Sequence, residues 1–141
     1  MRIKLDEIIK LEKKDLWYIV VSYHRNSSLP TKAKWTIPRI KEFQCFINSE
    51  EKEWLINDEG WGLIANGNKL MELGKNPQSE SLFMSKFIDS NKNNTWHGYP
   101  ADYRRKIQDI PSTSILKKWY NEGLIEKHQI LKIKKGKKCN L

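Results

Sequence analysis

Hydrophobic and polar positions change period several times along this chain. Near the start, Leu5, Ile8, Ile9 and Glu12 follow helical spacing, with Asp6 and Glu7 early and Lys13 and Lys14 late. That charge order suits a helix dipole, so an amphipathic helix is predicted over residues 3–14. Residues 16–24 (LWYIVVSYH) are aromatic and β-branched and read as a buried strand. After a polar loop, KWTI at 34–37 alternates as a short strand that Pro38 stops. The next window fits both periods. Ile40, Phe43, Phe46 and Ile47 suit a helix, and Phe43, Cys45 and Ile47 suit a strand. Its aromatic content favours a strand.

The middle of the chain is dense in turn signals. EWLI and WGLIA, separated by Asn57-Asp58-Glu59-Gly60, read as a hairpin with a four-residue loop. Asn66-Gly67-Asn68 is a second turn, after which residues 69–73 continue the meander. Residues 74–80 are loop by composition, and residues 81–89 alternate as a strand. Beyond residue 110 the period becomes helical. Pro111-Ser112-Thr113 opens a helix carrying Ile115, Leu116, Trp119 and Tyr120, which Gly123 ends. A second helix over 126–135 ends at Gly136. Strands gathered in the middle with helices at the ends give an α+β fold. It is expected to have an antiparallel sheet of about four to six strands, an N-terminal helix and two C-terminal helices.

The length, 141 residues, suits a single domain over residues 1–141. Charge divides it. Residues 1–102 hold fifteen bases and fourteen acids, whereas residues 103–138 hold eleven bases and three acids. The expected organisation is a neutral sheet body, 1–102, and a basic helical end, 103–141. Such a regional excess is the footprint of a polyanion partner, nucleic acid or an acidic protein surface. No apolar run is long enough to span a bilayer, and residues 1–15 lack a secretory h-region, so no membrane contact is expected. Two isolated cysteines, Cys45 and Cys139, suit a reducing compartment, and a cytoplasmic location is expected.

Candidate chemistry concentrates in TWHGYPADYRRKIQ, residues 95–108. His97 is the leading acid–base candidate, because imidazole takes and gives protons near neutrality. Gly98 would let the chain approach a ligand, and Pro100 would fix the loop after it. His24 would be a second acid–base group if the fold joins the two segments. Arg104, Arg105 and Lys106 would neutralise phosphate, while Trp96, Tyr99 and Tyr103 would stack on bases or donate hydrogen bonds. Lys132, Lys134 and Lys135 on the last helix would add phosphate contacts without reading sequence.

These residues suit a small basic nucleic-acid-binding protein, with RNA preferred. A metal-independent ribonuclease of toxin or defence type is its sharpest form. The alternative is a non-enzymatic interaction module, of inhibitor or immunity type, that binds an acidic protein. No cofactor and no metal are expected. The three His residues lack zinc spacing, and the acids between residues 50 and 59 read as a solvated hairpin tip. No phosphate-cradling glycine loop is present.

Overall fold

The computed structural model describes residues 2–141. In chain order its strands are β1 (Ile8–Lys10), β2 (Trp17–Ile19), β3 (Lys34–Trp35), β4 (Leu55–Ile56), β5 (Glu59–Gly62), β6 (Ala65–Asn66), β7 (Lys69–Leu70), β8 (Gly74–Lys75), β9 (Ser81–Leu82), β10 (Met84–Ile88) and β11 (Thr95–Ala101). The helices are α1 (Arg39–Glu51), α2 (Thr113–Asn121) and α3 (Lys127–Lys134), with single 3₁₀ turns at Ser22–His24 and Ile107–Asp109. The fold class is α+β.

The main sheet has six strands in the order β1-β2-β11-β10-β5-β4. All its pairings are antiparallel except β2 with β11, which is parallel. A three-stranded sheet, β3-β8-β9, and the β6-β7 hairpin stand beside it. Because side chains alternate along a strand, each face of the sheet has its own cover. On one face Trp96 of β11 and Phe87 of β10 meet Phe46 of α1 and Tyr18 of β2. Phe46 and Phe87 are edge to face at 5.2 Å. On the other face Trp61, Met84 and Ala101 join Ile115, Leu116 and Trp119 of α2 and Ile133 of α3 in a second core. Trp54 and Trp119 cross there at 81° with centroids 5.9 Å apart. Aromatic pairs in such offset or edge geometries add about 0.5–1.5 kcal/mol beyond their buried area.

Several expectations are corrected. Residues 3–14 are not a helix. Asp6 and Lys13 adopt left-handed backbone, with φ of 61° and 63°, and β1 pairs with β2. Ile3, Leu5, Ile9 and Leu11 turn inward with period two, and Ile8 is left 63% exposed. It was the exposed Ile8 that completed a helical pattern. Residues 40–47 are helix, not strand. Pro38, with extended backbone, precedes the first turn of α1, and the buried face is Glu42, Phe43, Cys45, Phe46 and Ser49. The predicted strand over 16–24 ends at Ile19 and turns into a 3₁₀ helix, with the Arg25 N–H donating to the Ser22 carbonyl. The hairpin at β4–β5 closes with two residues rather than four. Ile56 pairs with Glu59, and Asn57 takes φ 59°, as tight hairpin turns require. Residues 65–70 form a separate hairpin instead of extending the meander. Both C-terminal helices stand where expected, with Gly123 and Gly136 at positive φ behind them.

Candidate functional site

The site builds from β11, whose residues alternate between a packed and a half-buried face. Trp96, Gly98 and Pro100 are buried towards α1, while His97 and Tyr99 lie on the opposite, partly open face. The parallel pairing of β11 with β2 brings the following turn, Ser22–His24, over that open face. The two histidines 73 positions apart therefore share one neighbourhood. His24 stacks on Tyr99 with centroids 5.1 Å apart, and Tyr23 stands edge-on to His97 at 6.4 Å.

His24 lines a cleft of about 220 Å³ together with Lys32, Asn76, Tyr99, Asp102, Lys106 and Asp109. Its Nδ1 lies 2.9 Å from the Ala33 carbonyl oxygen. A carbonyl only accepts, so Nδ1 carries the hydrogen and Nε2 presents a lone pair. Burial pushes the His24 pKa down to about 4, helped by Lys32 and Lys34, so the ring is neutral near pH 7. Tyr99 donates to Asp109 Oδ1 at 2.6 Å, and the other carboxylate oxygen accepts the Asp102 N–H at 2.9 Å. Burial and that carboxylate raise the Tyr99 pKa far above its ordinary value. Lys86, 3% exposed beside Tyr99 in the sheet, is satisfied by Gln108 O, by Glu59 at 3.5 Å and by the Trp61 ring at 5.1 Å.

Other residues of the 95–108 stretch are placed differently from expectation. Trp96 is 3% exposed in the aromatic core, so it presents no ring to a base. Gly98 is required by packing and not by a ligand. A Cβ there would sit 2.4 Å from Phe87 Cδ1. Pro100 belongs to the strand, not to a loop. His97 makes no side-chain hydrogen bond among the described residues and does not line the cleft that His24 lines; burial lowers its pKa. Tyr103 is buried, and its hydroxyl donates to the Lys137 carbonyl at 2.9 Å. Arg104 and Arg105 are exposed but engaged by Glu80, at 3.2 and 2.6 Å. The Asn76 side chain and Arg105 hold the Glu80 carboxyl down at about 2. The two arginines thus face Glu80, and Arg105 also lies 3.7 Å from Asp102. Lys106 is exposed at the mouth of the His24 cleft.

Beyond Arg104 and Arg105, seven lysines of the basic end keep their charge free. Lys117, Lys127, Lys132, Lys134, Lys135, Lys137 and Lys138 are all exposed and form no ion pair among the described residues. Elsewhere, cations are matched more often. Lys14 pairs with Glu50, Arg25 with Glu42, and Lys52 with Glu122. Sequence reading missed Lys32, Asn76 and Asp109 as cleft residues. Asp109 was detectable only as the first acid after the Arg104-Arg105-Lys106 run, and Lys32 and Asn76 carry no local signal. No group of three or more potential metal ligands clusters among the described residues, and no helix there is long and apolar enough to cross a membrane. Comparison with protein-family models, with curated proteins and with solved structures returns no match for the chain.

Proposed function

We propose that the protein binds single-stranded nucleic acid, RNA in preference to DNA, by phosphate contacts along its lysine-rich C-terminal end. The observation that carries this reading is the set of seven exposed lysines between Lys117 and Lys138 without carboxylate partners. Unpaired, solvated ammonium groups hold no internal energy that a phosphate must replace. Each one that contacts a phosphate releases condensed counterions instead. Exposed ion pairs such as Arg105 with Glu80 would first have to be broken. The arginines therefore rank below the lysines as contacts.

The proposal stops at binding. Catalysis by a histidine pair would need both rings to face one reacting phosphate. Tyr23 lies against both His24 and His97, and only His24 lines the cleft. The Tyr99 phenol, held by Asp109, is a poor proton donor at neutral pH.

Titration of labelled single-stranded RNA at two salt concentrations tests the reading. Affinity is expected to fall steeply with salt, by a log–log slope of about −0.7 per phosphate contacted. The same titration with DNA of matching sequence is expected to bind more weakly. Absence of RNA binding at low salt would remove the proposal in favour of an acidic protein partner. Incubated RNA is expected to remain intact. Cleavage that disappears in His24→Gln would extend the reading to catalysis.

A further inference from the structure

A larger cavity adjoins the His24 cleft and shares Asn76 and Asp102 with it. It measures about 680 Å³ and opens between β7, the Ser81–Met84 stretch, the end of β11 and the final segment of the chain. Leu70, Phe83, Tyr103 and Leu141 give it an apolar lining, and Phe83 is half-buried where the chain passes from β9 to β10. Its rim carries three exposed cations, Lys69, Arg104 and Lys138; of the two carboxylates that line it, Glu80 is held by Arg104 and Arg105, and Asp102 is buried beside Arg105. The final segment is fastened. The Tyr103 hydroxyl donates to Lys137 O, and the Gln129 amide donates to Asn140 O.

An apolar, aromatic-lined hollow under a cationic rim suits a ligand that is flat and apolar at one end and anionic at the other. A nucleotide has that form, and its base gains from an aromatic contact whatever its identity. Lys137 and Lys138 join this rim directly to the lysines of α3 along the chain. The geometry points to this cavity as the receptor for one unstacked base of the RNA strand, with the neighbouring phosphates on Lys69, Lys138 and Arg104. This inference rests on the proposed RNA binding and adds to it a contact that depends on the base.

Two anionic polymers separate the parts. Oligouridylate has bases, and inorganic polyphosphate has charge without them. Phe83→Ala is expected to weaken oligouridylate binding roughly tenfold and to leave polyphosphate binding unchanged. Phe83→Tyr, which keeps a ring, should restore the affinity. Neutralising Lys132, Lys134 and Lys135 is expected to weaken both polymers. The wild-type chain offers a second readout, because the free thiol of Cys139 lines the same cavity whereas Cys45 is buried. Oligouridylate should slow alkylation of Cys139 well beyond any slowing by polyphosphate at equal occupancy. Equal protection by the two polymers, or equal oligouridylate affinity of wild type and Phe83→Ala, overturns the base site while leaving backbone binding intact. Binding of neither polymer overturns the RNA reading itself and the base site with it.

Discussion

Single residues set how this protein responds to pH. His24 is neutral when folded because burial pushes its pKa from 6.5 to about 4. Its folded value lies below its unfolded value, so the unfolded chain binds more protons across that interval. Stability is therefore present above pH 6.5 and lost as pH falls towards 4. Urea denaturation of wild type and His24→Gln isolates the effect. Relative to the variant, wild type should lose about 2 kcal/mol over that range, a figure reduced for the ring's partial contact with solvent. Glu42 acts in the opposite sense. Burial raises its pKa from 4.5 to about 7, although Tyr18 donates to it at 2.6 Å and Arg25 at 2.9 Å. Its contribution is present below pH 4.5 and fades as pH rises through 7. Glu42→Ala strands Arg25, which also donates to Ile37 O, and should cost about 3–5 kcal/mol at neutral pH by urea denaturation.

Strand β11 ties the core to the cleft. It is the longest strand, pairs with β10 on one side and β2 on the other, and supplies both Trp96 to the core and Tyr99 to the cleft. Gly98 makes this close pairing possible beneath Phe87. Gly98→Ala would bring a methyl group against the ring and should cost about 1–3 kcal/mol, read as a lower thermal midpoint. The sequence identified the strands and helices whose periods were clean, namely β10, α2 and α3. It misread α1 because the window fits both periods and its aromatic content tipped the choice to strand, whereas the buried Glu42 that marks the inner face of the helix, held by Arg25 and Tyr18, carries no apolar signal. It misread residues 3–14 because two left-handed residues cannot be seen in a spacing pattern. It picked out the 95–108 stretch as the candidate site but could not tell which of its aromatic rings face a ligand. Trp96 and Tyr103 turn inward, and only the alternation of a strand, once recognised, would have sorted them. The meeting of His24 with Tyr99 depends on a parallel pairing across the chain, which no local pattern encodes.

For the whole molecule, the division of charge matters most. The chain has a net charge of +9, and nearly all of it lies after residue 102. In the sheet body Lys14, Arg25, Lys52 and Lys86 pair with carboxylates, whereas the exposed lysines of the final helix and tail pair with none among the described residues. Such an arrangement favours fast, salt-sensitive encounter with a polyanion over a rigid, shape-specific interface. The charge of α3 and the tail should therefore dominate affinity, and the sheet edge at β1 should contribute little.

The most direct measurement is the salt dependence of single-stranded RNA binding by wild type and by the variant with Lys132, Lys134 and Lys135 changed to glutamine. Wild type should bind at about 50 mM salt and lose affinity steeply by about 200 mM, and the variant's log–log slope should be shallower by about 2. An unchanged slope in the variant, or no binding by wild type at the lower salt, would contradict the assignment of the C-terminal lysines as the phosphate-binding surface.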